Sequence, residues 1–82
     1  MSVVVLYGRP DCHLCDEART AIARLSRAHG FTLREVDIER DPELHARYLE
    51  RIPVISLDGE DLFDYEVDED ALARLILYRE GR

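Results

Sequence analysis

The chain is 82 residues long, 46% hydrophobic and 35% charged, with 18 acidic residues against 11 basic ones and a formal net charge of -7. A chain of this length buries only roughly 60% of its extended surface, which excludes a second core within residues 1–82, and its apolar content excludes a disordered chain. The acidic balance excludes counterion-release binding to nucleic acid, and no apolar run approaches the roughly 20 residues of a membrane-spanning helix, so neither nucleic acid nor membrane is expected as a partner.

Residues 2–7 carry Val3, Val4, Val5, Leu6 and Tyr7 and are closed by Gly8 and Pro10, which predicts a strand buried on both faces. Met1 and Ser2 lead into it without the basic and apolar regions of a secretory signal, so a cytoplasmic location is expected. From Leu14 onward Leu14, Ala18, Ala21, Ile22, Leu25 and Ala28 recur at spacings of three and four, with Arg19, Arg24 and Arg27 facing away. That is the pattern of an amphipathic helix, and Gly30 offers the positive-φ position that ends one. Residues 32–38 predict a second strand from their β-branched content, although the alternation slips between Leu33 and Val36.

Asp41 as N-cap, Pro42 at the first helical position and Glu43 in the first turn predict a helix over 42–50, with Leu44, Tyr48 and Leu49 at helical spacing. Val54-Ile55-Ser56-Leu57, the turn dipeptide Asp58-Gly59, and Leu62-Phe63 with Tyr65 predict an antiparallel hairpin. Asp68-Glu69-Asp70 then open a last helix through Ala71, Leu72, Leu75 and Ile76 to near Glu80, the acids lying where the helix dipole favours them. The order β-α-β-α-β-β-α predicts an α/β fold, a four-stranded mixed sheet with three helices spread over both faces.

The only two cysteines, Cys12 and Cys15, fall where the first strand gives way to the first helix, the edge at which open α/β sheets place their sites. A structural staple is poorly served by so short a loop. A metal site usually needs four ligands; His13 could add a third, while His29 and His45 lie on distant helices, so an ion or a cluster bridging two chains stays as an alternative. Redox exchange needs a thiolate, which a helix N-terminus stabilises with unpaired N–H groups. Cys12 at that terminus is the expected attacking thiolate and Cys15, one turn on, the resolving thiol.

Around the pair, His13 either tunes the thiolate or points to solvent, and Asp11, Asp16 and Glu17 oppose ionisation of Cys12 by like-charge repulsion. Arg9 and Arg51 each read either as a solvated arginine or as a contact for an anionic substrate group. Pro53 reads as a simple strand start on the residues alone.

"LYGRPDCHLCDEA", then "RIPVISLDG" and an acidic helix start, together resemble the thioredoxin superfamily, and within it the small glutaredoxin-like proteins. The "CHLCDEA" form with "IPV" and "VDE" is similar to a bacterial subgroup of them. The resemblance implies the thioredoxin/glutaredoxin fold, a cis Ile52-Pro53 bond docking the substrate backbone, and Arg9 at the basic position that helps bind glutathione. It also implies a thiol–disulfide oxidoreductase that holds no bound cofactor. Its partners would be a disulfide-containing protein or glutathione as co-substrate, with electrons from glutathione or a flavoprotein reductase. The alternatives are the metal or cluster module and a redox-idle interaction domain; a monomer is the simplest state.

Departures from the family pattern are equally legible. His13 and Leu14 replace the usual Pro-Tyr, and Arg51-Ile52-Pro53 replaces Thr-Val-Pro. Where glutaredoxins place a Gly-Gly and an Asp against glutathione, this chain has Phe63-Asp64-Tyr65-Glu66-Val67-Asp68, in which Asp64 and Tyr65 fill that space and add a negative charge.

Overall fold

The computed structural model describes residues 2–80. Strand β1 (Val3–Gly8) is followed by helix α1 (His13–His29), β2 (Thr32–Asp37), a 3-10 turn (Ile38–Arg40), α2 (Pro42–Tyr48), β3 (Val54–Leu57), β4 (Glu60–Asp64) and α3 (Glu69–Glu80). The strands lie in the order β2-β1-β3-β4. β1 runs parallel to β2 and antiparallel to β3, which pairs antiparallel with β4, so the sheet is mixed as expected.

Two clusters divide the core between the sheet faces. Val4 and Leu6 of β1 with Ile55 and Leu57 of β3 pack against Ala18 and Ile22 of α1 and Leu72 and Ile76 of α3. Across the sheet, Ile38, Tyr48 and Val54 pack with Tyr7, Leu44 and Ile52. The strand expected to be buried on both faces is fully buried only on the first: Val4 and Leu6 are sealed, while Val3, Val5 and Tyr7 are half-buried. The seven-residue α2 is too short to cover the second face as α1 and α3 cover the first.

Local chemistry sets the element ends. The Gly30 N–H donates to the Ser26 carbonyl at 2.8 Å with φ 75°, closing α1 as its sequence predicts. Asp41 Oδ1 accepts from the Glu43 and Leu44 amides at 2.9 and 3.4 Å and starts α2, which stops at Tyr48 rather than reaching residue 50 and leaves Leu49 exposed. Asp58 and Gly59, at φ 50° and 92°, make the hairpin turn. β4 then begins at Glu60 and ends before Tyr65, with a bulge opposite Ile55 and Ser56.

The start of β1 and the end of α3 are tied together. The Ser2 amide donates to Glu80 Oε2 at 2.8 Å and the Val3 amide to Asp58 Oδ1 at 2.9 Å, while Arg79 reaches Asp58 at 3.3 Å. Among the described residues no helix is long and apolar enough to cross a membrane.

Candidate active site

Cys12 and Cys15 are joined in a disulfide with a Cα–Cα separation of 5.2 Å. The pair forms because the chain turns sharply after β1. Asp11 takes the left-handed conformation at φ 59°, which aspartate tolerates, and Cys12 returns to extended backbone as the N-cap of α1. Its Sγ accepts the Cys15 N–H at 3.2 Å, and its carbonyl accepts the Asp16 N–H at 3.0 Å. The Cys12 sulfur thus takes one of the unpaired donors of a helix start, in the place where a side-chain oxygen usually stands.

The two sulfurs differ in access. Cys15 is completely buried and Cys12 is partly exposed. Gly8 backs Cys15: a Cβ on it would stand 2.9 Å from the Cys15 Sγ, so only glycine lets the strand end approach so closely. The sequence marked Gly8 merely as a strand boundary; a glycine at the end of an otherwise β-branched run was the signal for that contact.

The other expected site residues are placed as follows. Pro53 is buried behind a cis Ile52–Pro53 bond, and its carbonyl accepts the Tyr65 N–H at 2.8 Å. Ile52 is half-buried and packs with the α2 cluster. Arg9 lines a hollow of about 250 Å³ together with Cys15, Arg19, Glu35 and Asp37, and its guanidinium lies 3.7 Å from Glu39. Arg51 turns to β4, where Nε and Nη2 clasp Asp64 at 2.9 and 3.0 Å with Asp61 at 3.8 Å, and it also lies over the Tyr48 ring. Asp64 holds the Arg51 guanidinium protonated more firmly than usual. His13 is 86% exposed and its Nε2 lies 2.7 Å from Glu17, so the imidazole lies along the helix surface.

Arg19 is bracketed in the same way, by Asp16 at 2.7 Å and by Glu35. Arg9, Arg19 and Arg51 are therefore each paired with a carboxylate of this chain. Tyr65 takes a left-handed conformation at φ 68°, and its hydroxyl donates to the Glu50 carbonyl, so the ring spans from the end of β4 to the loop before Ile52. Among the described residues no three His, Cys, Asp or Glu side chains are arranged to hold one metal ion.

Residues 3–77 match the family described as Glutaredoxin-like domain (DUF836). The chain belongs to this glutaredoxin-like family. An uncharacterised protein of Mycobacterium tuberculosis is 34% identical over 74 residues, covering 84% of this chain and 76% of that one. The solution structure of protein Ne2328 from Nitrosomonas europaea is 29% identical, with a TM-score of 0.79 over 90% of this chain and 89% of that one. A variant of thioredoxin from Halobacterium salinarum, 24% identical with a TM-score of 0.69 over 94% of this chain and 73% of that one, shares the fold. The glutaredoxin-like chain is thus a thioredoxin-superfamily protein with a thiol redox fold and a bonded cysteine pair at the end of β1.

Proposed function

We propose that this glutaredoxin-like protein is a thiol–disulfide oxidoreductase in which Cys12 attacks and Cys15 resolves. The observation that carries the reading is the unequal exposure of two bonded sulfurs at a helix start, the outer one accepting a backbone N–H. In the reduced protein the Cys12 thiolate attacks one sulfur of a substrate disulfide. That bond breaks, the departing sulfur takes a proton from solvent, and a mixed disulfide joins Cys12 to the substrate. Cys15 releases its proton to solvent and attacks Cys12 Sγ, the second substrate sulfur leaves and is protonated, and the Cys12–Cys15 bond forms. Two electrons and two protons have passed to the substrate.

Burial of Cys15 confines the first encounter to Cys12, while the 5.2 Å Cα separation keeps the resolving thiol within reach. Arg9 and Arg51 are the cations open to an anionic substrate group only where it displaces Glu39 or Asp64, and Ile52-Pro53 offers the docking backbone. Asp11 and His13 adjust the charge around Cys12. The protein needs no bound cofactor: glutathione or a flavoprotein reductase returns it to the dithiol, and the cytoplasm is the reducing compartment that sustains the cycle. The test is release of thiol from a neutral small disulfide by the reduced protein. Cys12→Ser is expected to abolish it, and Cys15→Ser to accumulate a mixed disulfide visible by mass; equal turnover by wild type and Cys12→Ser would sink the reading.

A further inference from the structure

A groove of about 300 Å³ lies between α1 and the segment joining β4 to α3. More of its lining is polar than apolar: Glu17 and Glu66 line it together with Leu14, Ala18, Val67 and Tyr65. Leu14, which lines it, stands between the two cysteines in sequence, in the first turn of α1, while neither cysteine itself lines the groove. Among the described residues five large hydrophobic side chains are exposed, and two of them, Leu14 at 42% and Tyr65 at 51%, line this one hollow. Such a concentration marks a surface that expects contact rather than scattered apolar exposure.

The charge of the groove selects among occupants. Glu17 meets only the exposed His13, and no ion pair is formed by Glu66 among the described residues. A third acid of the lining, Glu69, is held by Arg24 at 3.1 Å. An anionic ligand would meet these carboxylates and could be held by Arg9 or Arg51 only if each gave up its internal partner. A cationic ligand gains Glu17 and Glu66 without breaking an ion pair to an arginine. The hollow is also near the roughly 300 Å³ lower end of small-molecule sites, the size for one or two side chains.

We infer that the α1–Tyr65 groove docks a polypeptide whose disulfide is flanked by an apolar side chain and a lysine or arginine, and that it discriminates against acidic substrates such as glutathione conjugates. The inference rests on the disulfide-exchange reading and deepens it by naming the substrate class. Long-range attraction to the groove's carboxylates raises the encounter rate, and Leu14, Val67 and the Tyr65 ring give the neighbouring apolar side chain a contact once it arrives.

The probes are two synthetic peptides, each with one cysteine disulfide-linked to mercaptoethanol and a neighbouring leucine, one flanked by arginines and the other by glutamates. Reduction by the reduced protein is read as the ratio of their kcat/KM values, so that a change in thiolate reactivity cancels. The basic peptide is expected to react about tenfold faster at low ionic strength, the ratio falling toward one in about 0.5 M salt. Glu17→Gln with Glu66→Gln is expected to collapse the ratio, and Glu17→Asp with Glu66→Asp to keep it. Equal rates, or a faster acidic peptide, with a neutral disulfide still reduced would overturn the docking inference alone. No reduction even of bis(2-hydroxyethyl) disulfide would overturn the exchange reading and the inference with it.

Discussion

Gly8 and Cys15 touch so closely that any β-carbon on Gly8 would stand 2.9 Å from the Cys15 sulfur and 3.2 Å from its Cβ. Cys15 is buried in the first turn of α1 and its sulfur is bonded to Cys12, which restrains it from moving aside. Gly8→Ala is therefore expected to destabilise the oxidised protein by about 1–3 kcal/mol, the range of overpacked cores. Gly8→Val should cost more. Urea unfolding of both variants checks this, and an unchanged midpoint in Gly8→Ala would show that the strand end shifts freely.

Tyr48 links the α2 face to the hairpin. Its buried ring lies 4.7 Å from that of Tyr7 and its hydroxyl donates to Asp61 at 3.0 and 3.2 Å. Burial, reinforced by Asp61 and opposed by Arg47, raises its pKa above the ordinary 10.0. The folded state thus keeps this proton more tightly than the unfolded one, and the resulting stability is fully present below pH 10.0 and lost as pH rises through the folded value. Tyr48→Phe is expected to cost about 1 kcal/mol at neutral pH, with the deficit shrinking above pH 10.0. Denaturant titrations at pH 7 and in the alkaline range measure both.

Arg51 and Asp64 make a two-pronged ion pair, 13 residues apart in sequence, that closes the loop between α2 and β3 against β4. Both side chains are about one-third exposed, so solvent screening limits the pair, and a double-mutant cycle of Arg51→Ala with Asp64→Asn is expected to give a coupling of about 1 kcal/mol. High salt should reduce it. A coupling of zero would mean that each side chain is equally well served by water.

The elements were legible where one short-range rule decides them. Gly30, Asp41 and Asp58-Gly59 act through their own backbone preferences, and each stands where its sequence predicts. The slipped alternation after Leu33 has a structural cause: β2 is an edge strand, and the chain leaves it for a 3-10 turn whose Ile38 is buried in the α2 cluster. Cys12 at the helix start was legible for the same local reason. The pairing of Arg51 with Asp64 and the contact of Gly8 with Cys15 depend on which strands the sheet makes neighbours, which residue spacing alone does not encode. Tyr65 is the sharpest case, since an aromatic residue at positive φ follows no local preference and is held by bonds to Pro53 and Glu50.

The bond between the Ser2 amide and Glu80 joins the two ends of the described chain at the start of β1, whereas the disulfide follows its far end, so about 20 Å of strand separates them. A fluorophore or a surface tether placed beside Ser2 or Glu80 would therefore approach from the side remote from Cys12. Two such attachments would sit close enough to report on each other. The protein could be anchored to an electrode through this face and still present its sulfur pair to solution.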